Sequence, residues 1–233
     1  KELLNYWQKE FVSFSRGNNF NYLLSKLHYL LINSVFCNIF NHSENKINFN
    51  QLIKDKSIIL ININKVKFQE DLVNFISSLF LLKLKEVGFY RSYMKSENKE
   101  LFYLYLDNFY YFNESLVSDF LKNFNYYNFS LNLSHQYLSQ VSEEMKNLIF
   151  SNCGHFIFFK LTGDDALEIK KELGSVLELK DFVNLNLKEF YAKITVDNEM
   201  QDVFFAETLK VLPLKEKKSY KNLVISKSKE KYG

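Results

Sequence analysis

The chain has 233 residues, a formal net charge of +3, and 47% hydrophobic and 17% aromatic content. That composition excludes wholesale disorder and is enough to bury a sizeable core, so one domain, or one with an appendage, is expected. A mildly basic balance permits a nucleic-acid partner but does not require one.

Phe and Tyr are abundant (24 and 15), Gly and Pro are scarce (6 and 1), and arginine occurs only at Arg16 and Arg91. Plentiful Asn, Lys and Ile beside so little Arg is the mark of an A+T-rich genome. Any single Asn or Lys is therefore weak evidence of function. Cys37 and Cys153 form no CxxC pair, and no Cys/His cluster has zinc spacing. Two ordinary thiols in a reducing compartment are expected. The longest apolar run, 75–84, is interrupted by Ser77, Ser78 and Lys83 and falls short of a membrane span. No signal-peptide pattern is present, and a first residue Lys1 suggests a piece of something longer.

In chain order, residues 2–15 place Leu3, Leu4, Trp7, Phe11 and Phe14 at helical spacing, and 19–32 repeat the pattern. Residues 35–40 read as a short helical turn and 41–50 as a polar connector. The β-branched run 57–63 (SIILINI) predicts a buried strand. Residues 70–91 are the longest helical candidate, with Leu72, Phe75, Ile76, Leu79, Phe80 and Leu84 on a wide apolar face. After a charged loop, 101–106 (LFYLYL) is nearly continuously apolar, which suits a strand buried on both faces. Residues 115–124 have helical spacing, and 129–133 repeat the strand character. Strand, helix, strand with short joints predicts a βαβ unit and a parallel pair.

Further on, a helix is expected at 143–151, a buried strand at 155–160 (HFIFFK) and a helix at 162–173. The last has Asp164 and Asp165 in its first turn and Gly174 as its C-cap. A helical turn at 181–185 precedes two alternating segments, 189–196 and 203–209, which form a hairpin turning at Asp197-Asn198. Beyond Pro213 the basic sequence reads as a solvated, partly disordered tail, with a weak phosphate-binding arm as the minority reading.

Ligands of parallel sheets bind just beyond the carboxyl ends of the strands. There the chain places Asp107 and Asn108 after the first central strand, and His135 and Gln136 after the second. From pattern alone Asp107 is equally a strand-end cap, Gln136 a polar helix start, His135 a structural residue, and Asp164-Asp165 a helix N-terminus. Tyr103, Tyr105, Tyr110 and Tyr111 have the chemistry to stack bases, although core and rim packing is the expected role. Lys160, on an apolar strand, must reach a polar partner or solvent.

Four stretches carry a resemblance: LFYLYLDNFYYF at 101–112, FSLNLSHQYLSQ at 129–140, SNCGHFIFFKLTGDDALEIKKELG at 151–174 and DFVNLNLKEFYAKITVDNEMQDVFFAETLKVLP at 181–213. In this order they resemble the C-terminal part of the conjugative DNA-transfer ATPases. These are the coupling proteins of type IV secretion, grouped with the HerA and FtsK translocases among the P-loop NTPases. The similarity runs from the Trp7 helix to Pro213. It implies an α/β fold, the C-terminal part of a RecA-like domain over 1–213, with a mainly parallel sheet flanked by helices and a closing β-hairpin. Residues 214–233 are then the tail.

The resemblance also implies roles. Asp107 corresponds to the acid that holds the magnesium-bound water of ATP. The following residue, a glutamate that polarises the attacking water in active members, is Asn108 here, and an amide is no general base. Gln136 matches the sensor near the γ-phosphate, with His135 beside it. An arginine offered to a neighbouring subunit's nucleotide, eleven residues before that glutamine, is replaced by Asn125. A second arginine is replaced by Lys160, which keeps the charge and loses the planar fork.

Nothing in the chain fits the phosphate loop GxxxxGK[ST]. In the family the strand bearing that loop lies between the sensor strand and the next, so a gap is expected between 129–134 and 156–161. The implied function is part of a ring-forming, ATP-driven DNA-transfer motor using ATP and Mg. Its partners are DNA and further copies of itself, up to a hexamer. Its location is cytoplasmic, including the inner face of a membrane reached through a segment outside this chain. With Asn108, Asn125 and no phosphate loop, the chain as it stands is not expected to hydrolyse ATP. A non-catalytic pseudo-ATPase scaffold and a plain α/β interaction module are the alternatives.

Overall fold

The computed structural model describes residues 22, 24, 25, 28, 31–63, 68–94, 100–174, 177–210 and 220–232. The helix expected at 2–15, most of that at 19–32, and the stretch 211–219 around Pro213 lie outside the described residues. The chain divides into two compact units, Phe49–Asn222 and Lys1–Asn48 with Leu223–Gly233. In the smaller one, α1 (Ser34–Phe40) matches the expected short helical turn.

The larger unit opens with α2 (Phe49–Lys54), which buries Phe49 and Ile53. Phe49, Leu52 and Ile53 have helical spacing, but over a single turn that the polar-connector reading of 41–50 cuts in two. The Phe49 ring meets Phe80 edge-on at 6.2 Å. Residues 57–63 do not form the expected buried strand. They have no ladder partner among the described residues, and Ile58 and Leu60 are 90% and 84% exposed. β-branched residues favour a pleated, half-buried surface, and here no neighbouring strand supplies one.

α3 (Glu70–Ser92) has Glu70 and Asp71 in its first turn and Arg91 in its last, the arrangement the helix dipole favours. It buries Leu72, Val73, Ile76, Leu81, Leu84 and Val87. Next come β1 (Phe102–Leu106), a 3-10 turn at Phe109–Tyr111, α4 (Glu114–Tyr127) and β2 (Phe129–Leu133). β1 and β2 are parallel, in register from Phe102 opposite Phe129 to Leu106 opposite Leu133. α4 starts at Asn113, whose side chain accepts from the Leu116 N–H, and stops at Asn128, which takes the left-handed conformation with φ 56°. Phe120, fully buried on α4, stacks on Phe129 with ring centroids 5.9 Å apart. Burying one such side chain contributes about 1.5–3 kcal/mol.

Leu104, Leu106 and Phe129 are buried, but Tyr103 and Tyr105 on the other face of β1 are 58% and 71% exposed. The expectation of a strand buried on both faces is thereby corrected, and of the core and rim packing expected for the tyrosines the core part fails for these two. Described elements cover only one side of the β1–β2 pair. Tyr110 and Tyr111 are half-buried, with ring centroids 4.1 Å apart.

The remaining elements are α5 (Glu143–Asn152), β3 (Phe156–Phe158), α6 (Gly163–Leu173), α7 (Leu179–Val183), β4 (Glu189–Lys193), β5 (Thr195–Val196), β6 (Glu199–Met200) and β7 (Phe204–Glu207). β3 and β7 flank β4, both antiparallel to it. β5 pairs with β6 around Asp197 and Asn198, whose φ values of 51° and 67° suit a tight hairpin turn. Gly174, at φ 56°, ends α6 as expected. Phe158, Ala166, Ile169, Leu173 and Phe182 gather with Leu138 into a second core cluster.

The fold is α/β, as the sequence implies. β2 and β3 belong to separate sheets and β3 pairs antiparallel with β4, so the one parallel pair is β1–β2 and the expected mainly parallel sheet is not what forms among the described residues. Part of the basic tail is ordered as α8 (Lys221–Tyr232), a helix with no buried residue. Among the described residues no helix is long and apolar enough to cross a membrane.

Candidate functional site

β1 and β2 end at Leu106 and Leu133, which face each other in the parallel register. One step further along that register brings Asp107 beside Ser134. The backbone locks the step: the Ser134 N–H donates to the Leu106 carbonyl at 3.1 Å, and the Phe109 N–H donates to the Ser134 carbonyl at 3.0 Å. The Ser134 hydroxyl donates to Asp107 Oδ1 at 2.5 Å and accepts from the Asn108 N–H at 3.3 Å. One hydroxyl therefore joins an acid, its neighbour's backbone and the end of the adjacent strand. A charge-assisted bond of this length is among the stronger kinds, although here it is exposed to water.

Asn108 sits in the left-handed region, φ 51° and ψ 55°, and turns the chain from β1 into the 3-10 helix. Asn is one of the few side chains other than Gly that adopts this conformation readily. Asp107 keeps its second carboxylate oxygen for water or a cation. Ser134 is not among the residues the sequence pattern singles out, since the register that brings it to Asp107 is a property of the pairing.

His135 follows, half-buried, with its ring edge-on to Phe109 at 5.2 Å. Burial pushes its pKa below the ordinary histidine value, and the Asp165 carboxylate opposes that shift. Asp165 is itself buried in the first turn of α6, where its N–H donates to Thr162 Oγ1 at 3.4 Å. A residue expected only at a helix N-terminus thus acts electrostatically on the end of β2. Gln136 is exposed and makes no hydrogen bond among the described residues. Lys160 lies beyond the end of β3, in the other sheet, exposed to solvent and with no bond to Asp107 or Gln136. Asn125 is exposed on α4. The structure therefore brings Asp107 and Asn108 together through Ser134, while no bond ties Gln136 or Lys160 to them.

The fit to a nucleotide is partial. Asp107 supplies a single carboxylate, already bonded to Ser134. Among the described residues, no group of three or more His, Cys, Asp or Glu side chains could hold a metal ion directly. No glycine-rich loop in the sequence could wrap a triphosphate. One carboxylate could at most meet a magnesium ion through water, and among the described residues at the ends of β1 and β2 nothing grips the phosphates of a nucleotide. Burial pushes the Cys153 thiol up from its ordinary value, which disfavours the reactive thiolate.

No protein-family model matches the chain, and no curated protein matches it. Among solved structures it is similar to the genome packaging NTPase B204 from Sulfolobus turreted icosahedral virus 2, in complex with AMPPCP. That similarity has a TM-score of 0.47 and 12% identity, over 73% of this chain and 76% of the other. At that distance neither a family nor a function carries over.

Proposed function

We propose that the chain is the C-terminal part of a RecA-like subunit of an ATP-driven DNA-translocation motor, and that it is catalytically silent by itself. The observation that supports this reading is the Asp107–Ser134 bond at the carboxyl ends of two parallel strands, where α/β sheets present groups to ligands. The resemblance of the four motifs to the coupling proteins of type IV secretion supplies the finer reading. Asp107 serves the magnesium-bound water, Gln136 senses the phosphate, and Lys160 offers a cation. Assembly is a homo-oligomeric ring of up to six copies around DNA, in the cytoplasm or at the inner face of a membrane.

Silence follows from Asn108. A carboxamide neither accepts the proton of an attacking water nor carries the charge that orients it. The same residue favours a second reading, a pseudo-ATPase scaffold that keeps its surfaces and has lost the motor. The two separate on nucleotide response. DNA binding by a motor part changes when ATP and magnesium are added, and that by a scaffold does not.

The test of silence is ATP turnover by the full 233-residue chain with magnesium and duplex DNA. Turnover indistinguishable from protein-free buffer is expected. Turnover that is present and is removed by Asp107→Asn overturns it.

A further inference from the structure

The amino ends of β1 and β2, opposite the Asp107 end, hold a second arrangement of charge. Arg91, in the last turn of α3, is only 7% exposed. Its Nε–H donates to the Tyr127 carbonyl at 3.1 Å, and Nη2 donates to the Glu100 carbonyl. Its guanidinium carbon lies 5.7 Å from the centre of the Phe129 ring. These contacts fix the group in place with dipoles and a π face, and none of them neutralises its charge. Among the described residues no carboxylate pairs with Arg91 directly. The Glu100 carboxylate, which does act on it electrostatically, is held instead by Lys56 at 2.8 Å. A buried cation satisfied only by neutral groups is costly, and a guanidinium has five N–H groups, more than these contacts use.

Arg91 opens onto a pocket of about 350 Å³ between α2 and the last turns of α3. Lys54 and Asn50 on α2 reach its rim, both exposed and with no side-chain hydrogen bond or ion pair among the described residues. Ile53, Val87, Tyr90 and Met94 make one wall, and Glu100 completes the lining. The volume lies at the small end of the range for ligand sites, and the lining mixes polar and apolar groups.

We infer that this pocket binds a small organic anion: one carboxylate or phosphate group held by Arg91 and Lys54, on a flat or apolar body lying against Tyr90 and Met94. Arg91 offers the planar fork that matches either oxyanion. Lys54 adds a mobile ammonium and Asn50 an amide. Around the pocket the cations Arg91, Lys54 and Lys56 outnumber the one acid of the lining, Glu100, which Lys56 holds. The site is independent of the one at Asp107, being at the other end of the same strands.

The test is a nitrogen–proton NMR titration of the full chain with phenyl phosphate, benzoate and inorganic phosphate, and with benzyl alcohol as the neutral control. Phenyl phosphate or benzoate should move the Arg91 Nε–H and the Asn50 and Lys54 amides saturably, and benzyl alcohol should not. The tighter of the two anions assigns the head group. Lys54→Glu, an exposed change that leaves Arg91 in place, should weaken binding at least about tenfold, the worth of one charge-assisted hydrogen bond. Tyr90→Ala should weaken phenyl phosphate and leave inorganic phosphate unchanged. No saturable shift with either aromatic anion, or an affinity that Lys54→Glu leaves unaltered, overturns the proposal.

Discussion

Gly88 lies where α3 passes the last turn of α4, and Gly88→Ala sets two effects against each other. In a free helix the change stabilises by about 1 kcal/mol, because glycine loses more backbone freedom on folding. Here a Cβ at this position would stand 2.7 Å from Cγ, 2.9 Å from Cδ2 and 3.1 Å from Cβ of Tyr127. Those atoms are the base of the ring and cannot swing aside as a side-chain tip would. The Tyr127 hydroxyl donates to Asp119 at 3.2 Å, and its carbonyl accepts from Arg91 at 3.1 Å. Its ring centroid is 5.8 Å from that of Phe120 and 6.1 Å from that of Phe129.

Overpacking a site held this firmly costs about 1–3 kcal/mol, with contacts this short towards the upper end. Packing should therefore outweigh propensity, for a net loss of about 1–2 kcal/mol. Urea unfolding of the full chain checks it, as a lower midpoint at unchanged m-value. In a Tyr127→Ala background the same glycine change should become neutral or stabilising. Equal or greater stability of Gly88→Ala in the otherwise unaltered chain would refute the packing argument.

Three further outcomes are expected. The double-mutant cycle of Ser134→Ala with Asp107→Asn should give a coupling of about 0.5–1.5 kcal/mol in urea unfolding, reduced by exposure, and zero coupling would remove the hydrogen bond from the account. His135 titrates below its ordinary 6.5 because burial disfavours imidazolium, so the unfolded chain takes up the proton first. Stability should fall as pH drops from 6.5 towards the lower folded-state value, and His135→Phe should flatten that slope in unfolding curves across the window. Lys146, with a side chain only 9% exposed, pairs with Glu143 at 2.8 Å and Glu168 at 2.9 Å. Lys146→Met should cost about 1–2 kcal/mol in the same assay, since Glu168 loses its partner while partly solvated. These carboxylates raise the Lys146 pKa above 10.5, so its contribution holds below that value and is lost as pH climbs through the raised one.

The βαβ unit was legible because its two apolar runs are bounded by residues that turn the chain. Asn108 and Asn128 take left-handed conformations in the structure, and Asn113 caps α4. The open face of β1 was concealed by chemistry. Tyr103 and Tyr105 alternate with Leu104 and Leu106, but counting tyrosine as apolar hides a period of two that burial reveals. Residues 57–63 show the converse. A β-branched run records a preference for a neighbouring strand, and none is present among the described residues. Asp107 could be read from its place after a strand, whereas its partner Ser134 depends on a register that only pairing fixes. Arg91 gave no signal at all, since its hydrogen bonds reach Glu100 and Tyr127, nine and thirty-six residues away.

The motor reading is tested most directly by DNA binding. The full chain would be titrated into labelled duplex DNA, followed by fluorescence anisotropy at salt concentrations between about 50 and 200 mM, with and without ATP and magnesium. The account predicts binding that weakens steeply with salt, and a shift on adding the nucleotide would favour the motor part over the scaffold. Absence of binding at the lowest salt would contradict it.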